Sequence, residues 1–155
     1  MDELWSFVLH KAAQSWLWLA LCRRTRQVLA YALGDRSQAT CLLLWMRLPA
    51  PWRHKRIYTD FWEAYANVLP GRTHHPVGKD SGQTNHIERV NNTLRQRLGC
   101  LIRKTLSFSK DVTWHEIRIK LFLLRYNREQ RERYLLKQLS AVSAVSAGNP
   151  EPVPI

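Results

Sequence analysis

Residues 15–33 read SWLWLALCRRTRQVLAYAL. Two apolar, aromatic-rich runs, 15–21 and 27–33, flank the basic stretch Arg23-Arg24-Thr25-Arg26. Upstream, residues 4–9 form a third run of β-forming residues that includes Trp5, Phe7 and Val8, and 10–14 separate it from the second. Linkers this short join neighbouring antiparallel strands, so the first third of the chain is expected to be a three-stranded meander. Gly34-Asp35-Arg36-Ser37 breaks the pattern, and Ser37 is placed to cap a helix through Ala39, Leu42, Leu43 and Met46. Pro49-Ala50-Pro51 ends that helix.

Further on, 56–60 is a short strand finishing on Asp60, and 61–69 has helical spacing (Trp62, Tyr65, Ala66, Leu69) up to Pro70-Gly71. Residues 74–83 hold Pro76, Gly78, Asp80, Ser81 and Gly82 and read as a loop. From Thr84 a helix runs through Ile87, Val90, Leu94, Leu98 and Leu101. A last amphipathic helix spans about 113–139, with Ile117, Leu121, Leu124 and Leu135 among its apolar positions. Residues 140–155 repeat AVS, end in PEPVPI and read as a disordered tail. The expectation is one domain, 1–139, of the α/β class. A β-β-β-α-β-α order followed by helix describes the first part of a ribonuclease-H-like mixed sheet, although other α/β folds begin the same way.

The charge narrows the function. Lys and Arg total 24 against 12 Asp and Glu, a formal net charge of +12, and Arg outnumbers Lys. Clustered cations neutralise phosphates and release counterions, and the Arg fork matches phosphate geometry, so a nucleic acid is the expected partner. Cys22, Cys41 and Cys100 show no CxxC pairing and fit neither a zinc module nor a disulfide framework. The apolar run at 16–21 is too short to span a membrane and stops at Arg23-Arg24, and Asp2 and Glu3 stand where a secretory signal carries cations.

Because acids are scarce, their positions are informative. Asp2 heads the first strand, Asp60 closes the fourth, and Glu88 lies early on a helix in NHIERVNNTLRQR. Strand ends with a helix packed over them can bring such carboxylates to one point, where a hard cation offsets their repulsion. The same spacing also suits a helix cap at Asp60, an ion pair at Glu88 and an exposed terminal residue at Asp2.

Four segments narrow these alternatives: TNHIERVNNTLRQRLGCLIRKTLSFSKDVTWHE (84–116), YTDFWEAY (58–65), MDELWSFV (1–8) and GDRSQAT (34–40). In this order they resemble the catalytic motifs of insertion-sequence-one transposases of the InsB type, from residue 1 to about 128. The resemblance implies a ribonuclease-H-like DDE catalytic core with Asp2, Asp60 and Glu88 as its catalytic and metal-binding triad. It implies two Mg²⁺ or Mn²⁺ ions, and Arg95 as a phosphate-holding cation seven residues after Glu88. Arg89, Asn92, Arg97, Arg103 and Lys104 join it as DNA-binding candidates, with a solvated basic face as the plainer reading. His86 and His115 are expected to be polar surface or hydrogen-bonding residues.

The implied reaction is cleavage of DNA at a transposon end and direct attack of the freed 3′ hydroxyl on target DNA. The partners would be double-stranded transposon ends and target, with the protein a homo-oligomer on DNA in the bacterial cytoplasm, at the nucleoid. Family members carry a DNA-binding region ahead of this core, and this chain starts almost at its first acid. The expectation is therefore a catalytic module without its end-recognition module. Two other functions stay open: a catalytically inactive, transposase-derived DNA-binding protein, and a structure-specific nuclease on the same fold.

Overall fold

A computed structural model describes residues 1–102 and 104–147, with 144–147 described by backbone alone. Arg103 and residues 148–155 of the expected tail lie outside the described residues. Three strands, β1 (Asp2–Phe7), β2 (Gln14–Leu21) and β3 (Val28–Gly34), form the expected antiparallel meander. Its register pairs Asp2 with Leu19 and Trp16 with Gly34.

Strand β2 is central and is covered on both faces. Side chains alternate along a strand, so Leu17 and Leu19 enter one apolar cluster while Trp18 and Ala20 enter another. The Trp18 side is covered by α1 (Gln38–Arg47) and α2 (Glu63–Val68). There Trp18 meets Tyr65 edge-on, 5.4 Å between centroids. The Leu17 side is covered by α3 (Asn85–Arg97) and α4 (Val112–Ala147), which contribute Ile87, Val90, Leu94, Ile119 and Leu123. The sheet therefore lies between two helical layers.

Ser37 caps α1 as expected, accepting from the Thr40 N–H, while Asp35 accepts from the Ser37 and Thr40 hydroxyls. Those bonds hold the Asp35 carboxyl below its ordinary value. The strand-to-helix corner is tight: a Cβ on Gly34 would lie 2.5 Å from Thr40 Oγ1, so only glycine fits without movement.

Several expectations are corrected. The 74–83 segment is not wholly a loop: β5 (His74–Pro76) pairs in parallel with β4 (Ile57–Thr59) in a separate two-stranded sheet. Pro76 is tolerated because it stands at the strand's end. Helix α4 runs to Ala147, so 140–147 are helical where disorder was expected. At 36 residues it is about 54 Å long, more than the sheet can cover. The apolar positions chosen for two helices face outward. Leu42, Leu43 and Met46 of α1 and Ile117, Leu121, Leu124 and Leu135 of α4 are exposed, while Thr40, Cys41, Leu44, His115, Ile119 and Leu123 are buried. Both helices carry two apolar stripes, and the sheet covers the one with smaller or polar members. The three cysteines are buried thiols. No helix among the described residues is long and apolar enough to cross a membrane.

His115 is fully buried, which corrects the surface half of its expected role and bears out the hydrogen-bonding half. The Ser6 hydroxyl donates to the Ser15 carbonyl at 2.9 Å, so at 3.2 Å it accepts from His115 Nε2–H. His115 Nδ1 is then left to accept from the Ser109 hydroxyl at 2.9 Å. Burial, and secondarily Arg118, holds this imidazole below its ordinary pKa. A depressed histidine contributes stability that is complete above the unfolded value of about 6.5 and is lost as pH falls below it. His115→Ala should therefore cost about 3 kcal/mol at pH 7.5, from an unpaired buried hydroxyl and a cavity. The gap to the unmodified protein should narrow at pH 5. Denaturant unfolding at the two pH values measures both, and a pH-independent gap would contradict the neutral-imidazole assignment.

Candidate active site

Strand alternation sets the site. Even positions of β1 face α3 and α4, as Leu4 in the α3-side cluster and Ser6 against His115 show. Odd positions face α1 and α2. Asp2 and Glu3 thus leave the head of one strand on opposite sides, and Asp60 follows β4 at the gap between them. One oxygen from each of Asp2, Glu3 and Asp60 lies within 4.8 Å of the others. The start of β1 is tied to β4 by the Met1 ammonium, which donates to the Tyr58 carbonyl at 2.6 Å.

The three acids are neutralised unequally. Glu3 is paired with Arg36 at 2.7 Å and accepts from the Tyr65 hydroxyl at 2.9 Å. Arg36 is itself held between Trp62 and Trp16, 4.1 and 4.9 Å from the ring centroids. Burial, then Glu3 and Asp2, drive the Tyr65 phenol well above its ordinary pKa, so it stays a donor. Asp60 is exposed and accepts from the Trp62 N–H at 3.1 Å, a local turn contact two residues on; α2 begins after Trp62 with no side-chain cap, so Asp60 does not cap it as the alternative reading of the sequence had it.

Among the described residues, no cationic side chain is hydrogen-bonded to Asp2. Its Oδ2 accepts from Asn91 Nδ2 at 2.7 Å. Burial first, and then the charges of Glu3 and Asp60, raise its pKa from 3.8 to about 6, against the Glu3 N–H and the chain's ammonium. The other end of the same amide, Asn91 Oδ1, is buried without a partner. A crowded, under-neutralised carboxylate beside an unpaired amide oxygen offers hard oxygen donors of the kind Mg²⁺ accepts.

Glu88 is not a member of the 4.8 Å group. It lies in the first turn of α3 and accepts from the Thr84 hydroxyl at 2.8 Å. Asn91, one turn on, reaches Asp2, so this side of α3 is turned toward the carboxylates. Asn92 and Arg95 share it by helical spacing, and Arg95 donates to the Leu101 carbonyl at 3.1 Å. Arg89 and Arg97 lie on the opposite side, in a separate groove. Lys104 is exposed beyond the helix. Sequence reasoning overlooked Glu3, Asn91 and Arg36. The three-residue step from Glu88 could have found Asn91.

The family model of IS1 transposases matches residues 1–128. The iso-IS1n InsB protein of Shigella dysenteriae is 41% identical over 126 residues, covering 81% of this chain and 93% of that protein. The InsB protein of insertion element IS1 4 of Escherichia coli (strain K12) is 41% identical over 116 residues, 75% of this chain and 67% of its own length. The IS1 InsB protein of Shigella sonnei is 40% identical over 116 residues, 75% of this chain and 86% of its own. No solved structure matches the chain significantly.

The raised Asp2 pKa has a defined stability consequence. The folded state holds this proton more tightly than the unfolded chain, so the stability it contributes is present near pH 4 and is lost as pH rises through about 6. Asp2→Asn removes the repelled charge and keeps an oxygen for the Asn91 amide. In chelator at pH 7.5 it should stabilise the protein by about 1–3 kcal/mol, and that gain should disappear near pH 4. Added Mg²⁺ should raise the Tm of the unmodified protein more than that of Asp2→Asn. Thermal melts in the four conditions test this, and a lower Tm for Asp2→Asn at pH 7.5 would overturn it.

Proposed function

The chain belongs to the IS1 transposase family, and from that premise we propose that it is a DDE-type catalytic domain that cuts and joins DNA at the Asp2–Asp60 cluster. The observation that carries the reading is that cluster, with an under-neutralised Asp2 beside an unpaired amide oxygen. The matching sheet would be ribonuclease-H-like. The Met1–Tyr58 bond supports that reading, because it brings the head of β1 alongside β4 and would align the two small sheets as one, in the order 3-2-1-4-5.

Asp2 and Asp60 would hold a first divalent ion, Mg²⁺ or Mn²⁺, and Glu88 a second. When bound, the ions supply Lewis-acid activation and charge neutralisation for phosphoryl transfer. Asn91 orients the Asp2 carboxylate by donating to Oδ2. The Trp62 N–H does the same for Asp60 and leaves its second oxygen for a ligand. Arg36 and Tyr65 satisfy Glu3, which keeps a third charge from adding fully to the repulsion. Arg95, on the Glu88 side of α3, would contact a phosphate near the site, flanked by Asn92 and Lys104. Catalysis on this plan is positioning and electrostatics, with no covalent enzyme intermediate. The substrates would be duplex transposon ends and target DNA, met by a homo-oligomer at the bacterial nucleoid.

The test is a Mg²⁺-dependent cleavage and strand-transfer assay on terminal-repeat oligonucleotides. Glu88→Gln keeps side-chain volume and the bond to Thr84 but removes the charge. It should lower product formation by at least about 10³-fold, the scale on which mutagenesis of key catalytic groups reads out. DNA affinity should stay within about twofold. Arg95→Ala should lose both activity and affinity. Cleavage without joining would identify a nuclease, and equal activity of Glu88→Gln and the unmodified protein would remove Glu88 from the site.

A further inference from the structure

Six cations line one groove of about 580 Å³: Arg24 and Arg26 from the β2–β3 turn, Arg89 and Arg97 from α3, and Arg133 and Lys137 from α4. Glu129 lies among them, paired with Arg97 at 3.5 Å and with Arg125 at 3.1 Å. The groove keeps a strong positive surplus. It is also separated from the carboxylates. Arg89, Thr93 and Arg97 lie on the side of α3 opposite Glu88, Asn91 and Arg95 by helical spacing.

The walls of the groove are fixed by specific bonds. The Asn127 amide accepts from the Val28 N–H at 2.7 Å and donates to the Val28 carbonyl at 2.8 Å, which staples α4 to the start of β3. The turn itself is closed by Arg26 N–H to Cys22 O and Cys22 N–H to Gln27 O, both 2.8 Å. Within it Arg26 adopts φ 63°, a left-handed conformation that costs a non-glycine residue about 1–2 kcal/mol. Glycine would suit the backbone better, yet the turn carries an arginine whose side chain lines the groove. The field reaches His86 at the groove's edge, held below its ordinary pKa by burial and then by Arg26, Arg23 and Arg89.

We propose that this groove is a second nucleic-acid site, which binds the phosphate backbone of duplex DNA on the side of α3 turned away from the carboxylates. Its two tyrosines favour a backbone ligand over unstacked bases. Tyr134 lies beneath Arg24 at 5.8 Å, and Tyr126 is stacked on Phe122 at 6.3 Å, so neither ring presents an open stacking platform. The DNA held there lies outside the reacting phosphodiester, so one chain grips DNA at two places. The proposal rests on the transposase reading only for the choice of polyanion, and it requires no catalysis.

The test compares two triple variants of equal charge change. Arg26→Gly/Arg133→Gln/Lys137→Gln empties half the groove, with glycine relieving the turn and the other two changes on an exposed helix face. Lys11→Gln/Arg72→Gln/Lys110→Gln removes three exposed cations elsewhere. Affinity for a random-sequence duplex is read by fluorescence anisotropy across a salt series. The groove variant should lose at least about tenfold in affinity, and its log–log salt slope should fall by about 2–3, close to one per lost phosphate contact. The control should change by less than about twofold. Equal losses in both variants, or none in the groove variant, would overturn the proposal. So would retained duplex affinity with lost binding to single-stranded RNA or to anionic phosphatidylserine vesicles. If the triple variant does not fold, Arg133→Gln/Lys137→Gln carries the same comparison against Lys11→Gln/Arg72→Gln. Glu88→Gln, measured in parallel, separates the two readings, because it should leave groove binding unchanged whatever it does to catalysis.

Discussion

Two adjacent carboxylates at the head of a buried strand must leave it on opposite faces, and much of the site follows from that constraint. Strand alternation sends Asp2 and Glu3 toward different helical layers and different partners, although at the strand's open end their oxygens still approach within 4.8 Å. The protein satisfies one and leaves the other poised. Glu3 receives a guanidinium held between two indoles and a phenol that burial keeps protonated. Asp2 receives the Asn91 side-chain amide, the Glu3 N–H and the field of the chain's ammonium. Under-neutralised charge is costly in a stable fold. Its concentration at one residue, beside the exposed Asp60 and next to Asn91 of α3, sets Asp2 apart from an ordinary ion pair.

Helix α3 divides the chemistry of the molecule. One side carries Glu88, Asn91 and Arg95 and touches the carboxylates through Asn91. The other carries His86, Arg89 and Arg97 and forms a wall of the basic groove. The third side, with Ile87, Val90 and Leu94, is core. A 13-residue helix thus serves as a partition with three distinct surfaces, and the step of 100° per residue separates them without any change in backbone. The cations of the groove face away from Asp2, so they do not neutralise the charge that a divalent ion would otherwise offset.

The parts of the fold legible in the sequence were those governed by local rules. The meander follows from alternating runs and short linkers, and α1 begins where Ser37 can cap it. Burial on helices was misread because it depends on the partner. Helix α4 offers Leu121, Leu124 and Leu135 on one side and His115, Ile119 and Leu123 on another, and the sheet covers the second because Ser6 and Ser109 satisfy His115 there. Strand β5 escaped notice since His74-His75-Pro76 has no strand pattern. It forms through pairing with β4, reinforced by the bond between Thr59 and His74 at 2.8 Å. Asp2 and Asp60 were legible as strand-end acids. Asn91 and Arg36 were not, because their roles exist only across elements distant in the chain.

The arrangement of charge is itself informative about how a polyanion would approach. The chain carries +12 overall, yet the group bonded directly to Asp2 is a neutral amide, and Arg95 is turned to the Leu101 carbonyl. Within the acidic cluster Arg36 serves Glu3, while Arg89 and Arg97 lie across α3, so Asp2 itself is left to neutral donors and the chain's ammonium. Long-range attraction needs only net charge and falls with salt. Local charge neutralisation needs hard ligands at short range. Had the acidic point been filled by arginines, the carboxylates would be stable ion pairs with no remaining affinity for a cation. On the proposed reading, keeping Arg89 and Arg97 across α3 from Asp2 would let one small domain both attract a polyanion and hold a cation.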